Sequence, residues 1–425
     1  MKYTEMDLLA LKTEFERVKA RYEEIAGRGY ELDMSRGKPG KDNMDLSEKM
    51  FDLVGNNTGF INVDGIDCRN YGGLDGLTEL KNLFSAMLDM PPEQMIVGGN
   101  SSLNMMFDTV SQGMTHGLGG KPWALEEKRK FLCPVPGYDR HFAITEYFGF
   151  ELISVPTNEF GPDMDTVEEL VKDETVKGIW CVPKYSNPSG ITYSDEVVRR
   201  FARLKPAAKD FHIFWDNAYV VHDLTDEGDN LLNIYTECVK AGNPDLPLIF
   251  ASTSKITFPG SGVAAMTGSP EMVAMIKGRL KFQTIGPDKL SQLRHSRMFK
   301  SLDDVKAHMR RHAQVLWPKF KNVLDEFENA LAGTGVARWN TPKGGYFISL
   351  YVLPGCAKRV YDLCKAAGLT LTAAGAAYPY GKDPEDSNLR IAPTYPDAKE
   401  VKLAAGLLSV AVRYAALEKL ISSKE

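Results

Sequence analysis

The chain has 425 residues, and its 43% hydrophobic and 25% charged residues are ordinary for a globular protein, so disorder and small disulfide scaffolds are excluded. Its length suggests about two or three domains. Its 51 basic and 56 acidic residues give a formal net charge of -5, which argues against nucleic acid or a membrane surface as a partner.

The spacing of apolar residues predicts the elements in chain order. Apolar residues three and four apart over residues 5–27 predict an amphipathic helix, and residues 32–47 predict an extended functional loop. Short apolar runs then alternate with helical stretches, which predicts a mostly parallel seven-stranded sheet flanked by helices, an α/β fold. These runs begin at residues 95, 131, 151, 178, 211, 247 and 263.

The pattern changes from about residue 301. A long helical stretch over residues 303–333 precedes three short strands and a closing helix. This order predicts a smaller α+β domain that the N-terminal helix joins. We therefore expect a large domain over residues 45–300 and a small domain formed by residues 1–44 and 301–425.

Cysteine usage and the first residues indicate the compartment. Six cysteines lie far apart, which is typical of buried thiols in a reducing environment. Residues 1–24 are charged throughout, so we expect no signal peptide, and no apolar run approaches the roughly 18 residues of a membrane helix. The sequence therefore predicts a cytoplasmic protein.

Two charged residues stand where parallel strands end, and ligands of such sheets bind at that edge. Lys255 follows the run at 247, where burial would lower its pKa and free its amine for a Schiff base, although a surface lysine has the same pattern. Asp216 follows the run at 211, with Tyr219 three positions on. A buried carboxylate needs a cation such as a pyridinium nitrogen, although a helix cap is the alternative.

Three weaker patterns lie at other predicted strands. Asn187 begins an Asn-Pro turn and its amide could donate to a phenolic oxygen, although a plain turn explains it equally. Residues 100–102 open a helix whose N–H groups could bind phosphate, although ordinary capping uses the same residues. Arg390 lies in an apolar strand, either at an exposed edge or as a buried fork for a carboxylate.

In this order, Asn-Pro-x-Gly, Asp-x-Ala-Tyr and Ser-x-Ser-Lys resemble the class I aminotransferases, pyridoxal-phosphate enzymes of the aspartate aminotransferase fold. The segments SRGKPG, GNSSL and STSKITFPG are similar to those of the bacterial aspartate aminotransferase subgroup Ic. The resemblance implies pyridoxal 5'-phosphate as cofactor. It also implies a ping-pong transfer of the amino group of an amino acid, aspartate in this subgroup, to a 2-oxo acid such as 2-oxoglutarate.

The resemblance implies a role for each matching residue. Lys255 would bind the cofactor covalently and move the proton at the substrate Cα, and Asp216 would keep the pyridine nitrogen protonated. Other contacts would come from Asn187 and Tyr219 at the phenolic oxygen, Tyr138 on the ring, Asn100, Ser101, Ser102 and Ser252 at the phosphate, and Arg390 with Gly37 at the substrate α-carboxylate. Tyr71 would reach the phosphate of the second subunit in a homodimer with composite sites.

Two functions lack an assigned residue. Many relatives place an arginine for the phosphate seven or eight residues after the lysine, where this chain has Gly262 and Val263, and Arg69 is one candidate replacement. A dicarboxylic donor also needs a second cation. The candidates are Arg36, Lys38, Arg294 and Arg297, which could equally be surface or interface charges.

Other chemistries stay open at this level. A β-lyase or decarboxylase would keep Lys255, Asp216 and Arg390, and a ligand sensor could use the same fold without catalysis. No metal site is expected, because the sequence indicates that His308 and His312 lie on a solvated helix face despite their spacing of four.

Overall fold

A central sheet with helices on both faces organises the chain. The computed structural model describes residues 2–425. The strands within this range are β1 (Leu32–Asp33), β2 (Met95–Val97), β3 (Lys130–Val135), β4 (Glu151–Asn158), β5 (Gly161–Pro162), β6 (Val176–Cys181), β7 (His212–Asp216), β8 (Pro247–Ser252), β9 (Ala264–Thr267), β10 (Ala337–Trp339), β11 (Ile348–Val352), β12 (Leu369–Thr370) and β13 (Asn388–Ile391).

Helices occupy much of the rest of the chain, and most of the longer ones begin at a side-chain cap. They are α1 (Leu8–Ala26), α2 (Lys41–Asp45), α3 (Thr78–Leu88), α4 (Ser102–His116), α5 (Asp139–Tyr147), α6 (Met164–Leu170), α7 (Asp195–Ala202), α8 (Ile234–Lys240), α9 (Pro270–Gln283), α10 (Lys289–Met298), α11 (Leu302–Ala330), α12 (Ala357–Ala366) and α13 (Ala398–Ser422).

The large sheet has the order β2-β9-β8-β7-β6-β3-β4-β5. Strands β8, β7, β6, β3 and β4 pair in parallel, whereas β9 is antiparallel to both of its neighbours. All seven predicted runs form strands of this sheet, so the mostly parallel α/β architecture is confirmed. The sheet has eight strands rather than seven, because Gly161, with φ of 134°, lets the chain fold back as the two-residue strand β5.

Burial explains why the strands read as continuous apolar runs. Every residue of β6, β7 and β9 is buried, since helices cover both faces of the sheet. The parallel strands all end at one edge, so Asp216 at the end of β7 and Ser252 at the end of β8 lie in neighbouring strands there. The fold thereby brings the predicted strand-end residues together.

The second sheet, β10-β11-β13, is antiparallel and packs with α1, α11, α12 and α13. Helix α11 begins with a capping box between Ser301 and Asp304, which matches the predicted change of pattern at 301. However, its residues Val305 and Met309 pack with the large sheet, and Phe320 packs with the small domain. The division at residue 300 therefore stays a prediction, because one helix contributes to both cores.

The two ends of the chain meet in the small domain. Helix α1 packs along α13, with the Phe15 and Tyr414 rings 4.9 Å apart between centroids. Arg413 Nε donates to Tyr3 Oη at 2.8 Å, and Arg413 Nη2 pairs with Glu14 Oε1 at 2.5 Å. The N-terminal helix therefore packs on the closing helix, and its assignment to the small domain stays a prediction.

The solvated-face interpretation of His308 and His312 is wrong. Both side chains are buried, and their Nε2 atoms lie 3.0 Å apart. His308 Nε2 also lies 2.9 Å from the carbonyl oxygen of Ile256, one residue after Lys255. Burial lowers the pKa of His308 to about 4 and that of His312 to about 3. The two imidazoles are therefore neutral, and His308 holds the backbone at Ile256, next to Lys255, by a hydrogen bond.

The expectations about thiols and membranes can also be compared with the structure. All six cysteines are buried and free, as the sequence predicts. No helix within residues 2–425 combines the length and the apolar character that a membrane crossing requires.

Candidate active site

A cavity of about 630 Å³ lies at the edge where β6, β7 and β8 end. It collects residues from several of the predicted motifs, although these are far apart in the sequence. The predicted residues that line it are Arg36, Gly37, Ser101, Ser102, Tyr138, Asn187, Asp216, Tyr219, Ser252, Lys255 and Arg390. A larger cleft of about 1170 Å³ lies between residues 220–233 and α11, and it contains none of them.

Lys255 follows β8 and reaches into this cavity. Its Nζ lies 5.1 Å from the centroid of the Tyr219 ring and 5.8 Å from that of Tyr346. Burial lowers the pKa of the Lys255 amine, while the negative charge of Asp216 opposes part of this shift. The amine is therefore neutral at a lower pH than an ordinary lysine, which is the form that attacks a carbonyl carbon.

Asp216 is 3% exposed, and only one of its oxygens has a protein partner. Oδ2 lies 3.0 Å from His141 Nε2, whereas Oδ1 is buried without a hydrogen-bond partner among residues 2–425. A buried carboxylate oxygen left in this state is costly. No helix begins at Asp216, so the helix-cap interpretation is wrong, and the free oxygen marks a place for a cationic or N–H donor.

His141 holds the Asp216 carboxylate through its contact with Oδ2. Its ring stacks on Trp180, with centroids 4.6 Å apart and planes 17° apart, and meets the Tyr138 ring at 4.8 Å. Tyr138 lines the cavity, and burial raises the pKa of its hydroxyl to about 12. The orientation of the Asp216 carboxylate is therefore fixed by a buried aromatic stack.

Arg390 projects from β13, an edge strand of the second sheet, yet its side chain is only 10% exposed, so it is not an exposed edge residue. Nη1 donates to Asp139 Oδ1 at 2.6 Å and to Asn187 Oδ1 at 3.4 Å, and Nη2 reaches Thr372 Oγ1 at 3.5 Å. Nε is buried and has no partner in the described part of the chain. The guanidinium thus keeps donor capacity for a carboxylate.

Gly37 permits a close approach beside Arg390. A Cβ atom at this residue would lie 2.1 Å from Cζ of Phe347, whose ring lies 5.3 Å from the Arg390 guanidinium carbon. The predicted extended loop of residues 32–47 is confirmed only between β1 and α2, and a residue larger than glycine at position 37 would require the Phe347 ring to move. Arg36 lines the cavity from the same loop, whereas Lys38 points its Nζ at the Tyr395 ring, 3.6 Å from the centroid.

The start of α4 faces the same cavity. Ser101 caps this 15-residue helix by accepting from the backbone N–H of Leu103 at 3.2 Å, and Ser102 begins it. The capping interpretation is correct, and it leaves the first N–H groups of the helix available to an anion. Asn100 is exposed beside the cavity, and its carbonyl oxygen accepts from Ser254 Oγ at 2.9 Å.

Close packing explains why Gly262 carries no side chain here. A Cβ atom would lie 3.2 Å from Asn100 O, Phe258 O and Ser254 N at once. Arg69, the candidate replacement, is exposed and pairs with Asp67 at 2.5 Å. Tyr71 is 79% exposed. Neither Arg69 nor Tyr71 lines the cavity.

The remaining cation candidates also lie outside the cavity. Arg297 Nη1 donates to the carbonyl oxygens of Leu53 and Gly59 at 2.7 and 3.0 Å, so it fixes the preceding loop. Arg294 does not line this cavity either.

Sequence reasoning missed several residues of the cavity wall. The missed residues are Asp139, Arg140, Ser254, Phe347 and Thr372, together with His141 behind Asp216 and Tyr346, whose hydroxyl donates to the carbonyl oxygen of Lys255 at 3.2 Å. A usable signal existed for three of them. The charged triplet Asp-Arg-His directly follows the predicted ring-stacking Tyr138, at the start of a helix.

Comparison with known proteins gives close relatives over nearly the whole chain. Residues 7–424 match the aspartate amino-transferase family. An aspartate aminotransferase of Corynebacterium glutamicum is 47% identical over 405 residues, which cover 95% of this chain and 94% of that protein. A putative aminotransferase of Mycolicibacterium smegmatis is 47% identical over 98% of each chain. The crystal structure of an aspartate transaminase from C. glutamicum superposes with a TM-score of 0.96 at 45% identity, covering 99% of each chain.

Proposed function

The chain belongs to the aspartate aminotransferase family and is an aminotransferase, and from this premise we propose that it moves the amino group of aspartate to 2-oxoglutarate. The observation that carries the proposal is one cavity that holds the low-pKa amine of Lys255, the free buried oxygen of Asp216 and the guanidinium of Arg390. The test is glutamate formation from aspartate and 2-oxoglutarate by the purified protein.

Enzymes of this family use pyridoxal 5'-phosphate, and the cavity fits this group. When bound, the cofactor withdraws electrons from the substrate Cα. The orphaned Oδ1 of Asp216 would accept from the ring nitrogen, and Lys255 would supply the covalent link. The phenolic oxygen would accept hydrogen bonds from Asn187 and Tyr219. Asn187 has Nδ2 available to donate, because its Oδ1 accepts from Arg390.

The phosphate contacts follow from the same geometry. The N-terminus of α4 with Ser101 and Ser102 would hold the phosphate, together with Ser252 and Ser254, whose hydroxyls lie 3.1 Å apart. Because Gly262 carries no side chain and a Cβ atom there would be tightly packed, backbone N–H groups and hydroxyls would supply the donors from this subunit. Asn100 would contribute through its backbone rather than its exposed side chain.

The chain's own residues then divide the work of the reaction. Arg390 binds the substrate α-carboxylate and orients Cα toward Lys255, whose neutral amine accepts and returns the proton at that carbon. Asp216, held by His141, would keep a ring nitrogen of the cofactor protonated through its free oxygen Oδ1. Positioning of these groups on strand ends keeps the reacting atoms close.

Substrate choice requires a second cation in the cavity. Arg36 and Arg140 line it in addition to Arg390, so we expect one of them to bind the side-chain carboxylate of aspartate. Leaving such a cation unpaired would penalise alanine, and kcat/KM for aspartate should exceed that for alanine by a factor on the order of 10².

This preference is measured with both amino acids on the wild type and on Arg36→Ala and Arg140→Ala. One variant should lose most of the preference, while Lys38→Ala, outside the cavity, should keep it. If Arg294→Ala alone abolishes the preference, the cation comes from the second subunit instead. Equal constants for aspartate and alanine in the wild type would contradict dicarboxylate specificity and leave the cofactor proposal intact.

Product analysis separates transamination from the other chemistries considered. A lyase would release ammonia and pyruvate from a suitable donor, and a decarboxylase would release carbon dioxide. The relatives that are 47% identical over nearly the full chain are an aspartate aminotransferase and a putative aminotransferase, which does not favour these alternatives. A ligand sensor without catalysis would produce no glutamate at all.

We further propose a homodimer with composite sites. Tyr71, Phe282 and Ile285 are 79%, 85% and 66% exposed. Tyr71 and Ile285 lie on two loops, and Phe282 lies in the last turn of α9, just before the second loop. The two loops are adjacent, because the Lys289 ammonium donates to Gly72 O at 2.7 Å and Gly286 packs on that same carbonyl. Exposed apolar residues grouped in this way are typical of an interface between subunits.

Charging this surface should separate the subunits. Ile285→Asp is expected to give a monomer in sedimentation velocity and to lower kcat more than tenfold, because Tyr71 of the second subunit would leave the site. Phe160→Asp is the control, since Phe160 is 56% exposed at the far hairpin between β4 and β5. A fully active monomer would rule out composite sites.

The compartment is part of the same proposal. All six cysteine thiols are buried, and burial raises the pKa of several of them, including Cys238 to about 12. Such thiols are inert and fit a reducing environment, the cytoplasm. Fractionation of the native cells would test this assignment.

A further inference from the structure

The cavity already contains a carboxylate that occupies Arg390. Asp139, the first residue of α5, accepts from Arg390 Nη1 at 2.6 Å. The substrate α-carboxylate would require the same guanidinium. Because Nε remains without a partner, Asp139 satisfies only part of the donor capacity of Arg390.

The two members of this pair differ in exposure. The Arg390 side chain is 10% exposed, and that of Asp139 is 34% exposed. A cation as buried as Arg390 is costly to leave without a counter-charge. Asp139 can be solvated on its open side and lies in the first turn of a helix, where a negative charge is favoured. Separating the pair therefore costs less free energy at Asp139 than it would cost at an Arg390 left without any carboxylate.

Resting on the proposed function, we infer that Asp139 is a placeholder for the substrate α-carboxylate. It neutralises Arg390 while no substrate is present, and the carboxylate of the incoming substrate displaces it. An internal competitor lowers the apparent affinity by the fraction of molecules in which the binding group is available. Amino acid and 2-oxo acid carry the same α-carboxylate, so both affinities are lowered by the same factor.

The test compares the holoenzyme with Asp139→Asn and Asp139→Ser, two small polar residues that a helix start tolerates. The measurements are KM for aspartate, KM for 2-oxoglutarate, kcat, and the dissociation constant of succinate by isothermal titration. The two KM values and the succinate constant should each fall about tenfold, equivalent to about 1.4 kcal/mol, while kcat stays within about twofold.

Two further variants separate displacement from a general change of charge. In an Arg390→Gln background, Asp139→Asn should no longer tighten succinate binding, because the competitor acts only through Arg390. Glu418→Gln removes the carboxylate partner of Arg359, 2.7 Å away and outside the cavity, and should leave all constants unchanged.

The outcomes also distinguish this inference from the proposed function. Weaker or unchanged succinate binding in both Asp139 variants overturns the placeholder role, as does an effect that persists in the Arg390→Gln background. Wild-type protein that binds succinate more weakly than the variants but forms no glutamate would refute the proposed transamination and leave the placeholder role standing.

Discussion

Replacing Lys255 with alanine is expected to abolish transamination and to remove the covalently bound, light-absorbing cofactor. The wild type should be yellow as purified, and kcat should fall by a factor on the order of 10⁴ or more, because one residue supplies both the nucleophile and the proton carrier. Its partly buried amine with a lowered pKa motivates the expectation. The measurements are the visible spectrum and the rate of glutamate formation.

Lys255→Arg is the matched variant, because arginine keeps a positive charge but cannot form the covalent link. It should be as inactive and as colourless as the alanine variant. Turnover within tenfold of wild type in either variant, or a wild type that stays colourless after incubation with pyridoxal phosphate, would refute the assignment of the cavity.

Asp216→Asn is expected to have the next largest effect. The substitution keeps the shape of the side chain but removes its negative charge, which Oδ1 would otherwise present to the cofactor. kcat/KM should fall roughly 10²- to 10³-fold, which is the usual cost of losing one preorganised charge partner. The apparent dissociation constant of pyridoxal phosphate should rise in parallel, and fluorescence titration of the apoenzyme measures it.

Asp210→Asn is the control for this experiment. Asp210 is also a buried aspartate, 5% exposed, but it pairs with Lys177 at 3.0 Å and with the Trp123 indole N–H at 2.8 Å, outside the cavity. Its substitution should lower the melting temperature without changing cofactor affinity. If both variants weaken cofactor binding equally, the effect is structural and the role of Asp216 is refuted.

The strand ends could be read from the sequence because parallel strands impose a simple rule. Each buried run is short and apolar, and its last residue must lie at one edge, so Asp216 and Lys255 were predictable without tertiary information. The low exposure of Arg390 was predictable for a related reason, since its neighbours in the strand are apolar. A buried arginine in such a strand requires a carboxylate or another acceptor close by.

The partners of these residues could not be predicted, because they depend on how α5 packs. Asp139 and His141 lie in the first turn of that helix, and their contacts with Arg390 and Asp216 span 251 and 75 residues of sequence. The prediction that His308 lies on a solvated helix face was wrong for the same reason. The neighbouring arginines suggested solvent, whereas the packing of α11 against the segment after Lys255 decides its environment.

The packing of α1 on α13 determines when the N-terminus can fold during synthesis. Helix α1 is synthesised before the large sheet, whereas its partners Tyr414 and Arg413 follow after it, with 399 residues of sequence between Glu14 and Arg413. Most of the stability of a protein helix comes from tertiary packing, so the 19-residue α1 lacks its main support until α13 is present. At about 5–20 residues per second, α1 waits roughly 20–80 seconds for α13. The large sheet can form during this interval, and α1 reaches its native contacts only after α13 has been synthesised.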